Sequence, residues 1–447
     1  MRTMPPNRHS TSSFHSHARH VLRPLFVTVL AAGVATTAAA QEYRTDNVDP
    51  QAKRNGGVAL AAVRNPARYA ADKAKVTEYF TGFYFPEMTQ LGADQLAGLG
   101  DARYKLFRDY LWKADNEQLQ QDLTEKAFEA ARKIVGASNP PYHPAVRYNA
   151  VLILGQLDEQ YAIETGANRR PPVPLPEATV LLTKIVAAAE DRRIPSSVTL
   201  GALIGLERHA QYRDALAPEA AEAMTAALLK LVNLEKPIQE MDREAFDWLR
   251  LRAAGVLAQL GSVGPKNEVH DALVKLVADF KSLDDRAATA ALLAKLNYEG
   301  AKVDGAATAE QLFKLARDIG TAEAKRAEDF QNTRVTGGGG FRPGGGEMRM
   351  AVGTLGEQET YPRRHVLARL TDLRTALRNV KPVVPQDAQT KFDALLKAIQ
   401  PVIDAAADED VVELKLAAAI HTMAAVIERE AAPAGKPATD EEEESPF

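Results

Sequence analysis

The 447-residue chain carries 55 Lys plus Arg against 59 Asp plus Glu, 28 aromatic residues, 77 alanines and no cysteine. Without cysteine, disulfide scaffolds, thiolate zinc sites, iron–sulfur clusters, covalent haem attachment, thiol catalysis and lipoprotein anchoring are excluded. An apolar fraction of 45% with 26% charged residues is that of a folded protein, and alanine, the strongest helix former, points to an all-α fold.

Residues 1–40 contain Arg2, Arg8, Arg19 and Arg23 and no acid, then an apolar run at 25–34 and small residues at 35–40. This pattern predicts a signal peptide cleaved after Ala40. The apolar run is about half of the ~20 residues that cross a bilayer, and no later run is longer, so stable membrane insertion is not expected after cleavage. The expected location is the periplasm, the cell envelope or the exterior. The remaining chain has 51 basic and 59 acidic side chains, a balance that argues against a nucleic-acid partner.

Region 41–118 is rich in aromatics, with Tyr79, Phe80, Phe83, Tyr84, Phe85, Tyr104, Phe107 and Tyr110 falling between Tyr69 and Trp112. Such density predicts a bulky N-terminal cap. Region 119–300 reads as four helix pairs. The first helices fall at about 119–135, 177–189, 219–232 and 268–280. The second helices share a pattern at offsets 0, 3, 7 and 10, with arginine or serine first and small or apolar residues after it: Arg147, Ala150, Leu154, Leu157; Ser196, Thr199, Leu203, Leu206; Arg250, Ala253, Leu257, Leu260; Arg286, Thr289, Leu293, Leu296. Those offsets trace one face of a helix of period 3.6. Prolines punctuate the array, and Asp242, Asp284 and Asp285 are candidate N-caps. A charged helix is expected at 301–331, a Gly-rich loop at 332–360, C-terminal helices at 361–432 (about 363–380, 386–404 and 408–431) and an acidic disordered tail at 433–447.

The run Pro144-Ala145-Val146-Arg147 followed by Ala150, Leu154, Gly155 and Leu157 resembles the second helix of a HEAT/armadillo-like repeat. Arg252-Ala253-Ala254 with Leu257, Leu260 and Gly261 resembles it next best. The resemblance covers about residues 119–297 and implies an irregular α-solenoid whose second helices line the concave face. There the offsets opposite the buried stripe place Asn149 with Gln156, Arg252 with Gln259, and Lys295, as possible contacts for a protein partner. Phe83 and Tyr84 of the aromatic segment, and Arg342 of the Gly-rich loop, are further candidate contacts.

Chemistry-bearing patterns are sparse. Tyr142, His143, Arg147, Tyr148 and Asn149 form the most reactive-looking cluster, a set that a polysaccharide lyase could use, yet the same residues suit an inter-helix turn and a structural arginine. The glycines at 337–340 and 344–346, with Arg334, Arg342 and Arg349, match neither a dinucleotide nor a P-loop motif. Asp404, Asp408, Glu409 and Asp410 could serve a hard metal or complement a helix N-terminus. His209, His270, His365 and His421 lack ligand spacing. No cofactor or metal is therefore expected. The residues favour an exported, non-enzymatic helical-repeat scaffold that binds another protein. An α/α-barrel enzyme acting on polysaccharide and a purely structural envelope protein are the alternatives.

Overall fold

The computed structural model describes residues 42–114, 116–163, 169–239, 241–337 and 362–431, without side chains at 333–337. The expected signal peptide, the acidic tail and Arg342 lie outside the described residues. Among the described residues the fold is all-α, apart from a short antiparallel pairing of β1 (Asp158–Gln160) with β2 (Val173–Pro174) in the proline-rich connection.

The N-terminal block is built from α1 (Pro50–Lys53), α2 (Gly56–Val63), α3 (Pro66–Glu78), α4 (Phe85–Glu87), α5 (Ala93–Ala97) and α6 (Leu99–Lys105). Two π-helical turns, Tyr79–Tyr84 and Leu106–Leu111, interrupt it. The helix pairs follow: α7 (Glu117–Gly136) with α8 (Pro144–Leu154), α9 (Pro176–Ala187) with α10 (Ser196–Gln211), α11 (Pro218–Val232) with α12 (Arg243–Leu260), and α13 (Glu268–Asp279) with α14 (Leu283–Leu293). α15 (Gly305–Gly337), α16 (Arg363–Val380), α17 (Gln386–Ala407) and α18 (Glu413–Glu430) complete the chain. α15 extends beyond the expected end at 331, because Gln331 to Thr336 contain no helix breaker before Gly337.

Local chemistry sets the starts. Asn65 and Asn116 cap α3 and α7 through their side-chain oxygens, and proline occupies the first turn of α8, α9 and α11, where a missing N–H costs nothing. Asp242 caps α12 by accepting from the Ala245 N–H at 2.7 Å. The expectation for α14 is corrected: Ser282 is the cap, accepting from Asp285 N–H at 3.4 Å, and Asp284 and Asp285 lie in the first turn. The residue with extended backbone is Ser282, one position ahead of Leu283, so only its side chain reaches back to the free N–H groups.

Beyond its own partner, each second helix packs on the second helix of the next pair, and from α9 onward the first helices do the same. α8, α10, α12, α14 and α16 pack in one row, and α9, α11, α13 and α15 in another; α17 adds to α16, and α18 packs on α15 and α17. The stripe is the glue of the first row: Ala150, Leu154, Leu157, Thr199, Leu203, Leu206, Ala253, Leu257, Thr289 and Leu293 are all buried. α8 and α10 cross with backbones touching at Gly155 and Gly205. A Cβ on Gly155 would lie 2.5 Å from the Gly205 Cα, so only hydrogen fits on either helix there.

Arginine heads three of the stripes, and all three guanidinium groups are buried. Each turns back to the C-terminus of the preceding helix. Arg147 donates to Val135 O (3.3 Å), Arg250 to Val232 O (2.9 Å) and Arg286 to Val277 O (2.7 Å). The last carbonyls of a helix lack intrahelical partners and carry partial negative charge, so a cation there stabilises both. A charged hydrogen bond of this kind contributes about 1.5–3 kcal/mol. In the second pair Ser196 replaces the arginine, and Gln239 covers the same end from the α11–α12 connection, donating to Ala189 O at 3.4 Å and to Ile194 O at 2.5 Å.

Candidate functional site

In a π-helical turn the backbone bonds run from i to i+5, so residues five apart share a face. Phe85 N–H donates to Phe80 O, and Trp112 N–H donates to Phe107 O at 2.8 Å. The aromatic spacing exploits this: Tyr79 lies over Tyr84 (5.8 Å between ring centres) and Phe80 over Phe85 (5.9 Å). Tyr110, from the second π turn, meets Phe80 edge-on at 5.0 Å and Tyr84 at 5.8 Å. Each such pair adds about 0.5–1.5 kcal/mol beyond area burial. Gly82 lets α1 dock against the first turn, with its carbonyl accepting from Asp49 N–H at 2.8 Å and a Cβ there lying only 3.0 Å from Ala52 Cβ.

The rings are pinned by their hydroxyls. Tyr84 donates to Ala102 O of α6 at 2.7 Å, and the Tyr79 and Tyr110 hydroxyls are 3.3 Å apart. Burial pushes all three phenols above their ordinary range, so they stay protonated at neutral pH and act as fixed rings rather than as bases. Against this wall α5 and α6 leave a cleft of about 330 Å³, lined by Tyr79, Phe83, Tyr84, Met88, Leu99 and Ala102, with Glu87, Asp94, Gln95 and Lys105 among its polar groups. Its size is at the lower end of that of ligand pockets.

The candidate contacts separate into groups. Phe83 and Tyr84 meet in this cleft; Phe83 is half-buried, while Tyr84 shows only the part of its ring that the cleft leaves open. Asn149 is corrected as an open-surface contact: it is 4% exposed because α6 covers it, with Arg103 donating to its Oδ1 at 2.7 Å. Gln156, Gln259 and Lys295 sit at or just past the C-terminal ends of α8, α12 and α14, the first two half-buried and Lys295 exposed. Arg252 is engaged within the row, 2.5 Å from Glu207 of α10 and 5.8 Å from the centre of the Trp248 ring. Trp248 itself is 45% exposed, and an isolated aromatic on a helix gave no periodic signal that would have singled it out.

The reactive-looking cluster is dispersed into packing roles. Tyr142 donates to Asp46 at 2.7 Å, His143 accepts the Ala145 N–H at 3.2 Å as the cap of α8, and Arg147 is the buried clasp already described. Tyr148 lies over Gly201 of α10. His209 is wholly buried, 2.8 Å from the Thr179 hydroxyl, and burial pushes its pKa down to about 3. His270 bridges Asp271 (3.0 Å) and Thr308 (3.1 Å), and His365 and His421 are exposed. Asp404 accepts from Gln400, and Asp408 from the Asp410 N–H. Among the described residues no group of three or more His, Asp or Glu is arranged to hold a metal ion, and no helix is long and apolar enough to cross a membrane.

The residues that sequence reasoning missed are Glu87, Asp94 and Lys105. Their signal was faint: acids and a lysine interspersed with an aromatic run whose pairs are five apart. Compared with known proteins, the chain matches no family model, no curated protein and no solved structure.

Proposed function

We propose that this protein is an exported, non-enzymatic scaffold of HEAT-like helical pairs that binds another protein in the periplasm or cell envelope. The observation that carries the reading is the aromatic cleft of the N-terminal block, where the half-buried Phe83 ring lies 5.8 Å from that of Tyr79, and the buried Tyr79 and Tyr84 rings are held by hydroxyl contacts, beside charged groups. Pre-fixed aromatic rings at a concave surface are what interface hot spots are made of, because little side-chain freedom is lost on binding. The use of Arg147, Tyr142 and His143 in packing supports binding over acid–base chemistry at that cluster.

The test is site-specific photocrosslinking in intact cells with the probe at Phe83, and at Lys295 on the far part of the row. A discrete protein adduct from at least one position is expected. No adduct at either position, together with glycan cleavage by the purified protein, would overturn the proposal. Export is read separately from the N-terminal sequence of the cell-derived protein, expected to begin at Gln41.

A further inference from the structure

Three acids of the N-terminal block are held in ion pairs. Asp46 pairs with Lys133 (2.9 Å), Asp72 with Lys75 (3.0 Å) and Asp109 with Arg108 (2.8 Å). Glu87 and Asp94 are in no ion pair among the described residues, and they are the two acids that line the aromatic cleft. Two carboxylates against one lysine, Lys105, beside three aromatic rings leave the lining with a net negative charge. Ring faces are electron-rich and attract cations, more strongly where water is thinned out, and the carboxylates add direct Coulombic attraction at the mouth.

The protein already uses one of these rings in this way, since the Lys53 ammonium sits 5.3 Å from the centre of the Phe83 ring. A cleft of about 330 Å³ takes one or two side chains rather than a folded surface. Its lining of Leu99, Met88 and Ala102 offers apolar contact for a methylene stem or an aliphatic neighbour.

We propose that this cleft binds a basic segment of the partner protein, inserting an arginine or lysine side chain towards Glu87 and Asp94 with an aliphatic side chain beside it on the ring wall. The proposal rests on the protein-binding reading above and names the chemistry of its ligand. The chain's acidic excess of 59 over 55 basic residues points the same way, favouring encounter with a basic partner.

The experiment uses the full chain and fluorescent decapeptides in anisotropy titrations: one alternating Arg and Leu, one alternating citrulline and Leu, and one alternating Glu and Leu. The Arg–Leu peptide is expected to bind at least tenfold tighter than either of the others. Its affinity is expected to fall several-fold between 50 and 300 mM salt, as a charge-dependent contact must. The double variant E87Q/D94N changes two surface carboxylates to isosteres and is expected to weaken the Arg–Leu peptide about tenfold, with unchanged far-UV dichroism. F83A is expected to weaken it to a lesser degree, and K105Q is expected to strengthen it slightly by removing a like charge.

Equal affinity for all three peptides, or unchanged binding by E87Q/D94N, overturns the proposal. Crosslinking at Phe83 separates the two readings. A captured partner whose linked segment has no Arg or Lys sinks this inference and leaves protein binding standing. Absence of any adduct, with glycan cleavage, removes both.

Discussion

Replacing Arg250 by methionine tests whether the buried arginines hold the helix pairs together. The guanidinium is 2% exposed, donates to Val232 O at 2.9 Å, and lies 3.3 Å from Asp247 and 3.9 Å from Asp279. Its carbon lies 5.7 Å from the Phe246 ring centre and 5.4 Å from that of Phe280. Methionine keeps the stem and deletes the fork. Losing the charged bond to a buried carbonyl costs about 1.5–3 kcal/mol, and the ring contacts add about 1 kcal/mol. Asp247 is not orphaned, because Arg243 remains 3.0 Å away, so the larger penalty of about 3–5 kcal/mol for a stranded buried charge does not apply. The expected loss is about 3 kcal/mol, whereas Arg193→Ala, whose side chain is 81% exposed, should leave stability almost unchanged. Urea unfolding followed by dichroism gives the total, and amide exchange locates it. Protection should fall first at the C-terminus of α11 and the start of α12. Arg250→Lys should recover less than half, since an ammonium cannot span the carbonyl and the carboxylate together. A loss under about 1 kcal/mol for Arg250→Met, or exchange rising evenly along the chain, would refute the clasp.

Three further outcomes are expected. Gly205→Ala places a Cβ 2.8 Å from Leu182 Cδ1 and 2.9 Å from Gly155 Cα and should destabilise by about 1–3 kcal/mol. Gly255→Ala, where nothing lies within 4 Å, should stabilise by about 0.5–1 kcal/mol; equal effects in thermal melts would contradict the backbone crossing. Burial, aided by Asp284, pushes the Asp372 carboxyl up to about 6. The folded state therefore binds more protons than the unfolded one between roughly pH 4 and 6, and stability from this group is full below that window and lost as pH rises through it. Asp372→Asn should accordingly stabilise by about 1–2 kcal/mol at pH 7.5 and by little at pH 4.5; a pH-independent effect in urea titrations would count against it. His209 runs the other way, because its folded pKa lies near 3 through burial, so its contribution is full above about pH 6.5 and declines as acid approaches the folded value. Its imidazole resonances should not titrate between pH 8 and 4.5, and a midpoint near 6 by NMR would show that the ring is not sealed.

The helix pairs were legible because one physical demand, burial of a stripe every 3.6 residues, writes itself into local spacing. Arg147, Arg250 and Arg286 stood at the head of those stripes and read only as family-like arginines; that they clasp carbonyls depends on where the preceding helix ends in space. The π turns escaped because Tyr79, Phe80, Tyr84 and Phe85 also suit an α-helix, and the difference between pairing at four and at five residues is settled by tertiary packing against Tyr110. Asn149 was misplaced for a related reason. Its offset pointed away from the stripe, but α6 arrives 46 residues earlier in the chain and covers it. The cleft was visible only in part, as Phe83 and Tyr84, since the carboxylates reach it from α4 and α5 by way of turns that carry no periodic pattern.

The bond from each clasping arginine goes to a main-chain oxygen, which every residue type supplies. Val135, Val232 and Val277 are thus addressed by position along their helices and not by side chain. The first helix of a pair can change its exposed residues freely without loosening the joint, but it cannot change its length. One inserted residue swings the receiving carbonyl by about 100° and shifts it by about 1.5 Å, out of the reach of a buried fork. Substitutions spread over the exposed faces of α7, α11 and α13 should therefore be tolerated, while single insertions within them should unfasten the pair.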